Sequence, residues 1–202
     1  MEIVLATGNI DKVREMKAAF KGLKVKFLTS SDFKVFPKPR ENGKTLEANA
    51  LIKARALIKH TGLASLSDDT GLEVAALSGR PGVYSSRYAG YGATYDDNCR
   101  KLLREMRDKS RRAASFRTVV ALCLPDGREF TVSGKIGGVI TRERRGLKGF
   151  GYDPVFKPSG YEKSFAEMSL GQKNRISHRG IALLKARKLI GALIKQGTQK
   201  GS

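Results

Sequence analysis

The sequence predicts a mixed α/β protein, and three observations lead to this class. A buried-strand pattern at Glu2–Ala6 runs through a glycine-containing turn into a helical pattern. A strong amphipathic helix follows at 45–58. Farther along, two apolar strand patterns flank Pro125-Asp126-Gly127, which is a typical hairpin signal. The chain is therefore expected to be mixed α/β with an antiparallel section in its middle.

Length and composition predict a single domain, 1–202, that is long enough to bury a sizeable core. No apolar run approaches the roughly 20 residues that a membrane-spanning helix needs, and the N-terminus lacks a signal-peptide pattern, so a cytoplasmic protein is expected. Cys99 and Cys123 fit reduced core residues better than a disulfide or a metal site. Residues 196–202 are expected to form a frayed tail.

The formal net charge of +20, from 39 basic and 19 acidic residues, implies an anionic partner or substrate. The basic residues are spread along the chain rather than clustered in one arm. Nucleic acid and a polyphosphate both fit this charge, and a charged surface also occurs in heat-adapted proteins without functional meaning. Charge alone does not distinguish these cases.

The turn after the first strand, Thr7-Gly8-Asn9, has the features of a phosphate site. A helix that begins directly after a strand presents backbone N–H groups at its N-terminus, where the helix dipole favours an anion. Gly8 lets the backbone approach a ligand closely, and Lys12 lies one turn into the helix. This motif is not specific, because GxxxxGK[ST] and GxGxxG are both absent and many α/β proteins open in this way.

A short strand at 25–28 and a polar connection at 30–44 lead to the second helix, with Glu41 near the end of the connection. Asn49 and Lys53 lie four residues apart in this helix and project from the same side. Without further context, Lys53 fits a solvated helix lysine better than a functional residue.

Two adjacent carboxylates, Asp68 and Asp69, stand between apolar segments, with a strand-like run at 72–77 after them. They cannot both be buried cheaply, because an unpaired carboxylate in a low dielectric costs several kcal/mol. Two interpretations remain open. One is a divalent metal site with oxygen ligands, and the other is a solvated turn, where aspartate is common.

The middle of the chain combines one helical pattern with several strand patterns. Apolar residues recur at helical spacing from Tyr95 to Met106, opposite a face rich in arginine and lysine. The remaining segments are expected to be extended: 83–88, 118–124, 129–132 and 136–141.

Two later stretches indicate ligand binding. Three glycines are interleaved with aromatic residues in Gly146–Phe156, so that Phe150 could stack on a base while the backbone stays close. A glycine-rich turn before a buried strand fits this stretch better when it is taken alone. Ser177 is a good N-cap for a final helix, which places His178 and Arg179 in its first turn. Basic residues there oppose the helix dipole, which indicates an anionic or acceptor-rich ligand.

Taken together, seven segments resemble the inosine triphosphate pyrophosphatase family, which hydrolyses deaminated purine nucleoside triphosphates. Each segment is weak alone, but their order and spacing over nearly the whole chain are highly specific. Departures are small, since Thr70 keeps the hydroxyl of a frequent serine and Ser86 replaces a frequent alanine. The segments are Thr7–Lys12, Glu41–Thr45, Asn49–Ala54, Ser67–Leu72, Pro81–Arg87, Phe150–Pro154 and Ser177–Gly180.

The resemblance implies a role for particular residues. Glu41 and Asp69 are expected to bind Mg²⁺, with Asp69 also accepting the proton of the attacking water. Phe150 is expected to stack on the base. The substrate-binding residues that the resemblance implies are Thr7, Gly8, Asn9, Ile10, Asp11, Lys12, Lys53, Thr70, Phe150, Gly151, Tyr152, Asp153, Lys173, His178 and Arg179.

The resemblance also implies an elongated, two-lobed α/β fold with a long central mixed sheet flanked by helices, an active-site cleft between the lobes, and a homodimer. The implied reaction cleaves ITP, dITP or XTP between the α- and β-phosphates, which cleanses the nucleotide pool. Cations such as Lys12, Lys53 and Lys173 suit the charge that builds on phosphate oxygens.

Two alternatives remain. The protein could be a house-cleaning pyrophosphatase for other modified nucleotides, such as pyrimidines. It could also be a basic nucleic-acid-binding protein without catalysis, but there is no recognisable binding module, and the carboxylates at Glu41, Asp68 and Asp69 would repel a phosphate backbone. A stable complex with nucleic acid is therefore not expected.

Overall fold

The computed structural model describes residues 1–199, which form seven strands and five α-helices. In chain order these are β1 Glu2–Leu5, α1 Ile10–Ala19, β2 Lys26–Leu28, α2 Leu46–Thr61, β3 Ala64–Val74, β4 Pro81–Gly82, α3 Tyr95–Glu105, β5 Ala113–Cys123, β6 Glu129–Ile140, β7 Phe156–Pro158, α4 Leu170–Ile176 and α5 His178–Gln199.

All seven strands belong to one mixed sheet with the order β2-β1-β3-β5-β6-β7, and β4 pairs with β3 beside this path. β1 is parallel to both β2 and β3, whereas β3–β4 and β6–β7 are antiparallel. The parallel pairs require crossover connections, which α1 and α2 supply. The predicted mixed α/β class with a long sheet is confirmed.

The chain divides into two compact units. The first comprises Met1–Asp69, Thr118–Gly134 and the C-terminal segment from Gly180, and the second comprises Thr70–Arg117 and Lys135–Arg179. Each unit has its own buried core. The core of the first is largely aliphatic and includes Ile3, Leu5, Leu66, Val120, Leu122 and Ile190. The core of the second is richer in aromatic side chains and includes Tyr88, Phe116, Tyr152, Phe156 and Phe165.

Local signals account for the boundaries of α2. Thr45 is its N-cap, and the Thr45 side chain accepts the backbone N–H of Ala48. Gly62 ends the helix in the left-handed conformation with φ of 69°, which glycine adopts without steric cost. The predicted hairpin is also present, since the N–H of Gly127 and the carbonyl of Leu124 close its turn at 3.0 Å.

Three local predictions and one of the two open interpretations of the aspartate pair were wrong. The strand-like run expected at 72–77 ends at Val74, and Ala75–Leu77 form a 3₁₀ turn. The solvated turn considered for Asp68 and Asp69 is absent, because both residues lie inside β3 and are buried. The segment 83–88 contains a 3₁₀ turn at Ser85–Arg87 rather than an extended stretch. The two strands expected at 129–132 and 136–141 are one continuous strand, β6.

Three remaining expectations concern the C-terminal tail, membrane-spanning helices and the two cysteines. The expected frayed tail, 196–202, begins inside α5, and residues 200–202 lie outside the described part of the chain. Among residues 1–199, no helix is both long and apolar enough to cross a bilayer. Cys99 and Cys123 are free and buried, as predicted.

Candidate active site

The turn between β1 and α1 places the segment Thr7–Lys12 at the start of the helix. Asn9 is the N-cap, because its Oδ1 accepts the backbone N–H groups of Asp11 at 3.0 Å and Lys12 at 3.2 Å. Thr7 Oγ1 accepts the N–H of Asn9 at 3.2 Å. The side chains of Thr7 and Asn9 therefore fix the shape of the turn.

Two further residues of this turn face open space. A Cβ built on Gly8 would meet no atom within 4 Å, so the backbone is accessible there. Ile10 is 73% exposed, which is unusual for a large aliphatic side chain at the start of a helix. The carboxylate of the neighbouring Asp11 lies 3.8 Å from Arg14 Nη1.

The first unit contains a group of charged side chains that we call the carboxylate–lysine cluster: Lys12, Glu41, Lys53, Asp68 and Asp69. The two aspartates are buried, whereas the other three side chains are partly exposed. Lys53 Nζ lies 3.2 Å from Glu41 Oε2 and 3.1 Å from Asp69 Oδ1. Lys12 Nζ lies 3.0 Å from Asp68 Oδ1. Each aspartate of the adjacent pair therefore has its own lysine, which offsets the cost of burying two carboxylates.

α1, α2 and β3 position this cluster. β1 and β3 are parallel neighbours, so the turn that starts α1 comes beside the middle of β3, where Asp68 stands. The hydroxyl of Ser67 donates to the carbonyl of Ala50 at 2.5 Å and fixes α2 against β3. This contact holds Lys53, one turn after Ala50, opposite Asp69.

Burial and charge have opposing effects on the pKa values in this cluster. Burial raises the pKa of the Asp69 carboxyl above its ordinary value of 3.8, against the stabilising charges of Lys53 and Lys12. Burial alone would lower the pKa of Lys53, but the charges of Asp69, Asp68 and Glu41 together raise it. The raised pKa keeps Lys53 charged at neutral pH, and the raised pKa of Asp69 makes it a stronger base than an exposed aspartate.

The second unit contains an aromatic and cationic group that we call the Phe150 cluster: Thr70, Phe150, Asp153, Lys173 and Arg179. Lys173 Nζ lies 4.6 Å, and the Arg179 guanidinium carbon 5.2 Å, from the centroid of the Phe150 ring. Arg179 Nη2 donates to Thr70 Oγ1 at 3.0 Å. The ring of Phe150 thus has two cations beside it.

A buried ion pair organises the glycine-rich loop of this cluster. Lys173 Nζ lies 2.6 Å from Asp153 Oδ2, and both side chains are only 4% exposed. The same Asp153 oxygen accepts the backbone N–H of Phe150 at 2.9 Å. Gly149 adopts a φ of +75° directly against the Asp153 carboxylate, so a side chain there would displace it. The loop is therefore built around Asp153.

The remaining predicted nucleotide contacts lie in the interior of the second unit. His178 is 3% exposed, and its ring stacks on Phe116 with centroids 4.4 Å apart. Tyr152 is also buried, and its hydroxyl donates to the carbonyl of Ser85 at 2.9 Å. Burial raises the pKa of Tyr152 far above its usual range. The carbonyl of Gly151 accepts the Cys99 thiol.

Three residues near these clusters were not among the predicted site residues. Asn49 holds a loop backbone through its side chain, and the sequence indicated it only by its spacing to Lys53 and its place in the segment Asn49–Ala54. Tyr95 lies 5.9 Å from Phe150, but its helical spacing assigned it to the apolar face of α3. Phe116 lies in β5 ahead of the predicted strand 118–124, and nothing in the sequence indicated that it would pack against a histidine.

The residues fit a divalent cation in part. Among residues 1–199, no three His, Cys, Asp or Glu side chains are grouped as a metal site. Glu41 and Asp69 nevertheless converge on one Nζ, and Asp69 Oδ2 is buried without a hydrogen-bond partner in the described structure. Mg²⁺ usually binds one or two carboxylates together with water and substrate phosphates, so a pair of carboxylates is sufficient.

Comparison with known proteins gives a consistent result. A family model described as the Ham1 family matches residues 3–189. A dITP/XTP pyrophosphatase of Desulfotalea psychrophila is 44% identical over 193 residues, covering 96% of this chain and 86% of the relative. A dITP/XTP pyrophosphatase of Geobacter sulfurreducens is 48% identical over 187 residues, covering 91% and 94%.

A solved structure, that of a HAM1 protein from Coxiella burnetii, has the same fold. It superimposes with a TM-score of 0.87 at 43% identity and covers 94% of this chain and 98% of that one. The family resemblance predicted from the sequence motifs is confirmed.

Proposed function

Because the chain belongs to the Ham1 family, we propose that it hydrolyses deaminated purine nucleoside triphosphates, namely ITP, dITP and XTP, to the monophosphate and pyrophosphate in a Mg²⁺-dependent reaction. The observation that carries this proposal is the carboxylate–lysine cluster. It combines two carboxylates for a metal ion, one of which is also a base, with two largely buried lysines, and these groups suit the positioning and charge stabilisation on which phosphoanhydride hydrolysis depends.

The lysines account for the binding of a triphosphate. Lys12 stands in the first turn of α1, where the helix dipole also favours an anion, and Lys53 keeps its charge because the surrounding carboxylates raise its pKa. Both cations are in place before substrate arrives, so little reorganisation is needed as charge develops on the phosphate oxygens.

Glu41 and Asp69 are the residues that would hold Mg²⁺. When bound there, Mg²⁺ supplies positive charge for the oxygens of the triphosphate. Asp69 acts as the proton acceptor for the attacking water: its pKa is raised by burial, and its buried Oδ2 has no hydrogen-bond partner in the described structure. The water gives its proton to this carboxylate as its oxygen bonds to phosphorus, and the phosphoanhydride bond between the α- and β-phosphates breaks, which releases the monophosphate and pyrophosphate.

The Phe150 cluster supplies base recognition. Phe150 offers an aromatic surface for a purine, and Arg179 carries five N–H donors that suit the 6-keto oxygen of hypoxanthine and xanthine. Adenine presents an amino donor at this position and would leave such donors unpaired. A site that relies on a hydrogen bond can discriminate by roughly 10⁴-fold.

The proposal extends to the state of the protein in the cell: a cytoplasmic homodimer that forms no stable complex with nucleic acid. Light scattering coupled to gel filtration tests the dimer, which should give twice the 22.1 kDa mass of the chain.

A substrate panel tests the proposed function. Pyrophosphate release is measured from ITP, dITP, XTP, GTP and ATP, with Mg²⁺ and with EDTA. Rapid, Mg²⁺-dependent turnover of the first three over the last two is expected. Equal rates for ITP and ATP would refute the proposed base recognition, and turnover that survives EDTA would refute the role of the metal. Turnover of modified pyrimidine nucleotides alone would favour the alternative that the protein is a house-cleaning pyrophosphatase for those nucleotides.

A further inference from the structure

We propose that Asn49 is a positioning residue that holds the Glu41 loop, residues 40–44, in the conformation needed to bind Mg²⁺. This inference rests on the proposed function, because it concerns the metal-binding role of Glu41. Asn49 lies in α2 and is completely buried. It belongs to the first unit together with Glu41, Lys53 and Asp69.

The contact that supports this role is a hydrogen bond to the loop backbone. Asn49 Oδ1 accepts the N–H of Gly43 at 2.8 Å, two residues after Glu41. Because the N–H of Gly43 can only donate, the bonded atom of Asn49 is its oxygen, which fixes the orientation of the amide. The loop is thereby attached to the same helix that carries Lys53, one turn later.

The loop packs so tightly against the helix that Gly43 cannot be replaced without movement. A Cβ built on Gly43 would lie 2.6 Å from Asn49 Oδ1 and 2.8 Å from Ala48 Cβ. Such distances are well inside normal van der Waals contact. Gly43 and Asn49 therefore form one unit, in which the glycine permits the approach and the amide holds it.

Glu41 needs such support, because the loop has little regular structure of its own. No helix or strand includes residues 33–45, and the Glu41 side chain is 34% exposed. The Glu41 carboxylate contacts the cluster through Lys53 Nζ at 3.2 Å. Outer residues that orient metal ligands typically change metal affinity 10- to 100-fold when they are replaced.

The other end of the amide indicates that stability alone does not explain Asn49. Its Nδ2 is buried and has no hydrogen-bond partner among the described residues. A buried donor left unsatisfied is destabilising, so such a group in a native structure calls for an explanation, and a functional role is one. An apolar side chain would avoid this cost but would lose the attachment of the loop.

Asn98 provides a matched control in the second unit. It is also a buried helical asparagine that holds a loop, since its Oδ1 accepts the N–H of Ala89 at 2.7 Å and its Nδ2 donates to the carbonyl of Ser86 at 3.2 Å. Neither of these hydrogen bonds involves a member of the carboxylate–lysine cluster. Replacement by alanine removes a comparable attachment without affecting Glu41.

The experiment measures Mn²⁺ binding by electron paramagnetic resonance in the wild type, Asn49→Ala, Gly43→Ala, the double variant and Asn98→Ala. We expect Asn49→Ala and Gly43→Ala each to weaken Mn²⁺ binding about 10-fold or more. The double variant should bind Mn²⁺ no more weakly than the single variant with the lower affinity, because both changes act on one contact. Asn98→Ala should lower thermal stability but leave Mn²⁺ affinity within about twofold. Hydrogen exchange of the Gly43 amide should accelerate only in the variants at 43 and 49.

Wild-type affinity in Asn49→Ala would overturn this inference and leave the proposed function intact. An equal loss in Asn98→Ala would also overturn it, since the effect would then reflect stability alone. If the wild-type protein itself binds no Mn²⁺, with or without ITP, the proposed metal-dependent function fails together with the inference.

Discussion

Replacing Lys53 by methionine removes a cation that contacts both Glu41 and Asp69, and the expected effect on stability follows from the distances. At an effective dielectric constant of about 20, opposite unit charges 3.1 Å apart attract by roughly 5 kcal/mol. Burial of Lys53 offsets part of this attraction, but the variant leaves Asp69 buried and charged. Breaking a buried pair from one side costs about 3–5 kcal/mol. We expect Lys53→Met to lower the free energy of unfolding by about 3 kcal/mol in EDTA.

Urea denaturation with EDTA and with Mg²⁺ tests this expectation. Mg²⁺ should restore part of the loss, because a bound cation takes over the neutralising charge, and a ligand at 100 times its Kd stabilises by about 2.7 kcal/mol. The control is Lys59→Met, which removes an exposed lysine of the same helix and should change stability by less than about 0.5 kcal/mol. A loss below about 1 kcal/mol for Lys53→Met, together with no effect of Mg²⁺, would refute the account of this cluster.

Three further predictions concern activity and the cysteines. Asp69→Asn should keep the fold, shown by an unchanged circular dichroism spectrum, and lower kcat by at least ~10²-fold, because a metal ligand and a base are lost together; near-normal turnover would assign the base to another carboxylate. Arg179→Ala should reduce the ITP/ATP ratio of kcat/KM more than it reduces kcat for ITP, and an unchanged ratio would exclude its role in base recognition. Burial raises the pKa of Cys99 to about 12 and of Cys123 to about 11. Both thiols should therefore resist a thiol reagent at pH 8 until urea unfolds the chain, and since the folded pKa values exceed the unfolded value of 9.0, stability should fall as the pH rises above 9; rapid labelling of the native protein would contradict this burial.

Elements with a local signal could be predicted from the sequence. The start of α1 follows from a strand, a glycine and the capping residue Asn9, and the boundaries of α2 follow from Thr45 and Gly62. The hairpin follows from Pro125-Asp126-Gly127. In each case the determining residues are neighbours in the chain.

The environment of Asp68 and Asp69 could not be predicted in this way. Their burial in β3 depends on Lys12 and Lys53, which are distant in sequence and adjacent only after folding. Two adjacent aspartates therefore fit a solvated turn as well as a strand when the lysines are not considered.

The other features that the sequence did not predict also depend on contacts between residues that are distant in the chain. β6 continues through glycines that interrupt the strand pattern, because Gly138 permits the close approach of Lys157 and Phe156 from β7. The loop of the Phe150 cluster is organised by Asp153 and Lys173, which are 20 residues apart. The sequence motifs contain the residues of this loop, but the pairing of Asp153 with Lys173 that fixes it arises only in the folded chain.

The most direct test of the central claim is the identity of the products formed from ITP and Mg²⁺, followed by ³¹P nuclear magnetic resonance from the first minutes of the reaction. Our account predicts inosine monophosphate and pyrophosphate in equal amounts from the outset, with neither product in EDTA or with Asp69→Asn. Inosine diphosphate and inorganic phosphate, or no products at all, would contradict it.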